Sequence, residues 1–140
     1  MRSEKCCEKS VKLKILIWGA CTPCYAHFMS NLLVGIVAFL QFYFLILEMF
    51  LWENPKTLAK LKMTPEFAKS TATLAKNQGL YNGFLSAGLI WGLTTGDTRI
   101  QIFFLLCVLI AGIYGAVTAN KKILFIQALP AALALLFLIF

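Results

Sequence analysis

NQGLYNGFLSAGLIWG, residues 77 to 92, decides the fold, because it sets three amides and a serine inside a run that is otherwise small and apolar. Amide side chains cost free energy in hydrocarbon and must face protein or trapped water there. Asn82 and Ser86 follow Gln78 at helical spacing, so their polar ends share one side. The stretch is predicted to be the helix around which the others assemble.

The rest of the chain supplies the hydrocarbon. It is 60% hydrophobic and 14% charged, with a mean hydropathy of +0.79. Four apolar runs follow residue 30, at about 31–52, 78–95, 100–117 and 123–140. Each approaches the roughly 20 residues that cross a hydrocarbon core about 30 Å thick. The sequence therefore predicts an all-α fold, a four-helix bundle integral to the membrane, with an extra amino-terminal hydrophobic segment as an open alternative. Its domain is residues 29–140, preceded by an extension, residues 1–28.

Only one connection, 53–77, has any size, which leaves no room for a soluble catalytic domain; neither enzymatic activity nor a cofactor is read from it. The net charge of +7 suggests nucleic acid at first sight. The lysines stand beside span ends, however, where they set topology and attract anionic headgroups, so the bilayer and not nucleic acid is the expected partner. Loop 53–77 carries Lys56, Lys60, Lys62, Lys69 and Lys76, and loop 118–122 carries Lys121 and Lys122. Both are predicted to be cytoplasmic, in a multi-pass protein of the cell membrane whose Phe140 end lies outside.

Within the first loop, Thr64 caps a helix opened by Pro65, whose missing N–H is no loss there, with Glu66 in the positive first turn. Nothing breaks this helix before Gly79, so it feeds into span two or lies as an amphipathic linker on the headgroups. Gly79 and Gly83 form one GxxxG and Gly88 and Gly92 another on nearly the opposite side, so span two is expected to pack against neighbours on both. Gly112 and Gly115 give span three a close-approach surface, and Pro130 is expected to kink span four.

Polar groups gather toward the cytoplasmic ends: Glu48 and Gln41 in span one, Asn82 in span two, Tyr114 in span three and Gln127 in span four. Two readings remain open. In one, a small pocket facing the cytoplasm uses Glu48 to bind a cation or proton while Asn82, Gln78 and Tyr114 orient a ligand. In the other these groups tie helices together, by hydrogen bonds that average only about 0.6 kcal/mol in membranes. No metal site is assigned.

The LEMFLW run from Leu47, the TPEFA run from Thr64 and the NQGLYNGFLSAGLIWG run from Asn77 resemble the bacterial membrane family catalogued as domain of unknown function 1304. The resemblance covers about residues 29 to 140. It implies four membrane helices and gives Glu48, Asn77, Gln78, Tyr81 and Asn82 as signature positions, which adds Asn77 and Tyr81 to the candidate ligand residues. It implies no activity. Relatives commonly carry a Glu-His pair where this chain has Leu40 and Gln41, so chemistry built on that pair is absent and Glu48 stands alone.

Residues 1–28 lie outside the resemblance and hold four of the five cysteines. Cys21 and Cys24 make a CxxC without the βαβ context of a thioredoxin-like site. Cys6, Cys7, Cys21, Cys24 and His27 could nominally ligate zinc, although not at finger spacing. A short fifth span at 15–29 is a further alternative. The economical account is translation from Met29, whose MSNLLVGIVAFL opens as the family proteins open. Three classes of function follow, in order: a small ligand-binding or transport protein, a structural or regulatory partner of another membrane protein, and a thiol redox protein. Four short spans enclose little volume, which favours a homo-oligomer or a membrane partner.

Overall fold

A computed structural model describes residues 22–139. Cys6, Cys7 and Cys21 lie outside the described residues, as does the side chain of Cys24, and with them the thiol and zinc alternatives. The described chain is all-helical: α1 (Thr22–Phe50), α2 (Pro55–Leu61), α3 (Pro65–Thr95), α4 (Thr98–Thr118) and α5 (Leu129–Ile139), the last preceded by a π turn, Leu124–Ala128. Two helices, His27–Phe50 and Thr98–Thr118, are long and apolar enough to cross a membrane, and the apolar run Leu124–Ile139 is shorter.

The helix boundaries follow from local chemistry. Thr64 Oγ1 accepts the Phe67 N–H at 3.3 Å, Pro65 opens the first turn and Glu66 sits beside it, so α3 starts here and runs unbroken for 31 residues, about 46 Å. It ends at Gly96, whose φ of 67° turns the chain in a conformation that glycine adopts without a Cβ clash. Asp97 then caps α4 by accepting the Arg99 N–H at 2.9 Å. The π turn has a cause in Pro130. Proline offers Ile126 no N–H and its ring presses on that carbonyl, so the chain widens just before it, and the Leu129 N–H bonds to Leu124 O.

Four rods, α1, α3, α4 and the π turn with α5, pack around one core. Helix α1 lies against α3 and α5, and α4 lies against α3 and the last rod. The core is built of small and medium residues: Val34, Val37, Ala38, Leu89, Leu105, Val108, Ala131, Ala134 and Leu135. Large apolar side chains point outward, among them Phe39, Phe103, Ile110 and Phe125, each more than 60% exposed.

Glycine sets how closely the rods meet. A Cβ at Gly79 would lie 2.7 Å from Met49 Cγ and 3.1 Å from the Met49 backbone nitrogen of α1, and one at Gly83 would overlap Leu45 of the same helix. On the far side of α3, a Cβ at Gly88 would overlap the Phe104 ring and one at Gly92 would meet the Gln101 backbone of α4 at 3.1 Å. The two glycine pairs of α3 are thus both occupied within the chain. In α4, Gly112 admits the Ala128 backbone at 2.8 Å from a built Cβ, and Gly115 faces Ile123.

Gly79→Val is expected to push α1 from α3 and lower stability by about 1–3 kcal/mol. Gly35→Ala, with nothing within 4 Å of its Cβ, is expected to be neutral or stabilising. Thermal unfolding followed by circular dichroism in detergent measures both.

Candidate functional site

The α1–α3 seam carries the polar residues. Because α3 meets α1 through Gly79, Asn82, Gly83 and Ser86, the two polar residues of that face are delivered against α1. Asn82, 4% exposed, donates through Nδ2 to Glu48 Oε2 at 2.7 Å. One turn on, Ser86 donates to the Ala38 carbonyl at 2.8 Å. The side chains thus bridge the helices at two levels, on either side of Leu45 packed over Gly83.

A second amide pair lies deeper. Gln41 is fully buried in α1, and Gln127, in the π turn, directs Nε2 toward Gln41 Oε1 at 3.5 Å, the outer limit of a hydrogen bond. Gln41 Nε2 and Asn82 Oδ1 are both buried without a hydrogen-bond partner. One lacks an acceptor and the other a donor. Gln41 and Glu48 share a face of α1 two turns apart, so the unsatisfied groups belong to one polar strip running from the carboxylate inward.

Among the described residues no cation pairs with Glu48; the one ion pair is Arg99 with Asp97, 3.6 Å apart at the other end of α3. Glu48 is half-buried and its partner is an amide, so a negative charge on it has no fixed counter-charge among the described residues. The groups available for a ligand are the second carboxylate oxygen, Asn82 Oδ1 and Gln41 Nε2. Also among the described residues, no three His, Cys, Asp or Glu side chains come together as metal ligands.

The other residues singled out in the sequence take different places. Asn77 and Gln78 are exposed on α3, close to the level at which α1 ends, with Met49 against Gly79. Tyr81 is 55% exposed, its ring edge on Phe84 at 6.3 Å. Tyr114 is 70% exposed because Gly112 and Gly115 turn α4 toward the last rod, and a residue two positions past Gly112 points some 200° away. The structure therefore brings Glu48 and Asn82 together and leaves Asn77, Gln78, Tyr81 and Tyr114 on outer surfaces.

Of the buried polar residues that escaped sequence reasoning, Gln101 makes the contact between helices. Gln101 donates through Nε2 to Gly92 O at 3.0 Å and leaves Oε1 buried and unpaired. Its signal was a lone amide entering an apolar run one turn after the Asp97 cap. At the opposite end, Trp52 donates to Thr71 Oγ1 at 3.1 Å and ties the exit of α1 to the first turns of α3.

These features define a small protein, all-helical in its described residues, with two helices long and apolar enough to cross a membrane and a carboxylate–amide pair between its first and third helices. The chain belongs to the family described as Protein of unknown function (DUF1304), whose model matches residues 35–139. It is similar to the uncharacterized protein YpaA of Lactococcus lactis subsp. lactis (strain IL1403), at 35% identity over 105 residues, which cover 72% of this chain and 88% of that protein. No solved structure matches.

A double-mutant cycle on Glu48→Ala and Asn82→Ala, read by thermal or denaturant unfolding, is expected to return a coupling of about 0.6 to 1.7 kcal/mol. Asn82→Leu alone is expected to destabilise more, by about 1–3 kcal/mol, since it strands a half-buried carboxylate.

Proposed function

We propose that this chain is a multi-pass integral membrane protein of four helical spans, with loops 53–77 and 118–122 in the cytoplasm, and that its Glu48–Asn82 seam binds a small polar ligand or cation from that side. The inversion of side-chain size supports the membrane part: small residues fill the core and large apolar residues cover the outside. In water such a surface would drive aggregation, whereas in lipid small residues at the contacts are what allow helices to associate. The connections of the four rods alternate ends, which puts the two Lys-rich segments together and leaves Asp97 and Arg99 at the other.

The observation that carries the ligand reading is Asn82 itself. Its amide is buried, gives Nδ2 to a carboxylate that has no counter-ion among the described residues, and keeps Oδ1 unpaired among them. A donor such as an ammonium, or a small cation, would satisfy that oxygen and Glu48 at once. The competing reading, a clamp between helices in a structural or regulatory partner of another membrane protein, is favoured by the 2.7 Å bond. The two differ in what Glu48→Gln does, because an amide still bonds Asn82 but carries no charge. Should the protein self-associate, its interface would draw on surfaces other than the two glycine pairs of α3.

A thermal-shift series on purified protein with sodium, potassium, ammonium and small primary amines is expected to show stabilisation by at least one of them, lost in Glu48→Gln. A shift by none of them, or one that Glu48→Gln leaves intact, contradicts the ligand reading. For topology, a phosphatase reporter that works only outside the cytoplasm is expected to be active when fused after Phe140 and inactive when inserted after Lys121.

A further inference from the structure

Helix α2 is short, basic and barely supported by the rest of the fold. Seven residues form no stable helix by themselves. Local caps define its ends: Asn54 Oδ1 accepts the Lys56 N–H at 3.0 Å, Pro55 opens the first turn, and Lys62 closes it at a φ of 55°. Thr57 is its one buried residue. Around its axis Leu58 and Leu61 fall on one side and Lys56 and Lys60 on the other, the arrangement of a helix that rests on a bilayer surface.

Lys60 gives that surface a definite address. Its Nζ lies 3.4 Å from the Tyr43 hydroxyl and 5.8 Å from the centre of the Tyr43 ring. Tyr43 stands two turns before the end of α1, about 10 Å along the helix. Among the described residues no carboxylate pairs with this ammonium. Along the same flank of α1 lie Phe39 and Phe42, 69% and 49% exposed. A cation without an anion thus sits above an uncovered apolar strip. A phospholipid has the complementary order of parts, a phosphate followed by acyl chains.

We propose that an anionic phospholipid binds here, its phosphate held by Lys60 Nζ and the Tyr43 hydroxyl and an acyl chain lying along Phe42 and Phe39. The site rests on the membrane reading given above but is independent of Glu48 and Asn82. Net negative charge in the headgroup is selected because Lys60 Nζ, the group that would hold the phosphate, has no carboxylate partner among the described residues. A zwitterionic headgroup brings its own cation into the field of that ammonium. The bound lipid ties α2 to α1 through Lys60 and so pins the loop between α1 and α3.

The test is native mass spectrometry of the full chain released from detergent with equal amounts of phosphatidylglycerol and phosphatidylcholine. The expected result is a preference for phosphatidylglycerol of about fivefold. Lys60→Gln is expected to bring the adducts near parity, Tyr43→Phe to weaken the preference, and Lys60→Arg and Arg99→Gln to keep it, with circular dichroism establishing that each variant is folded. Equal adducts in the unaltered protein, or a preference indifferent to Lys60→Gln, would overturn the lipid site while leaving the membrane reading standing. A protein extracted from cells by alkaline carbonate, with adducts of neither lipid, would overturn the membrane reading and the site with it.

Discussion

The bond from Asn82 to Glu48 exists only because two backbones come close enough to permit it. Gly79 and Gly83 remove the Cβ atoms that would otherwise strike Met49 and Leu45, and the seam they open sets Asn82 within 2.7 Å of the carboxylate. In the membrane proposed for this chain, dispersion and a few hydrogen bonds are the forces left to hold helices together, since lipid is as apolar as any side chain. The remaining contacts depend on this approach. With α1 fixed on one side of α3, Gly88 and Gly92 fix α4 on the other, and the last rod closes the space between α4 and α1.

Polar chemistry is concentrated along the seam that α1 makes with α3 and the π turn. Gln127 reaches Gln41 from a π turn, and the turn is there because Pro130 prevents a regular helix through that point. A helix widened at its functional face is a recurrent device. Here it brings a third rod to a strip that already contains Glu48, Asn82 and Ser86. Among the described residues, the unpaired amide groups of Asn82 and Gln41 and a carboxylate without a counter-ion give this strip unmet chemical demand. The lysine end has a separate demand of the same kind, a surplus of positive charge over a thinly supported helix.

Much of the architecture could be read from residue type and spacing. Pro65 after Thr64 marks a helix start whatever surrounds it, and nothing breaks the helix before Gly79, though spacing left open whether it runs on into span two as it does. Glycine at i and i+4 on two sides of one helix names two close neighbours. What spacing could not supply was rotation and reach. Gln78 shares a periodic face with Asn82 yet stays exposed, because α1 ends near its level. Tyr114 lies at a suitable depth but on the wrong side of α4, and only the partner of Gly112 fixes that side. Helix α2 carries no long periodic signal, and Gln101 is placed by contact with Gly92. Each of these is decided by a neighbour distant in sequence.

The claim at the centre is that Glu48 and Asn82 meet across α1 and α3 when the protein is in a bilayer. Solid-state NMR on protein in lipid vesicles, with labelled Glu and Asn side chains, measures the dipolar coupling between the Glu48 carboxyl carbon and the Asn82 amide nitrogen. A strong coupling, in keeping with an N···O separation of 2.7 Å, is the expected result, and it should vanish in Gly79→Val along with the close approach. A Glu48 carboxyl coupled to no asparagine side chain, in a protein that is folded and in lipid, would contradict the account.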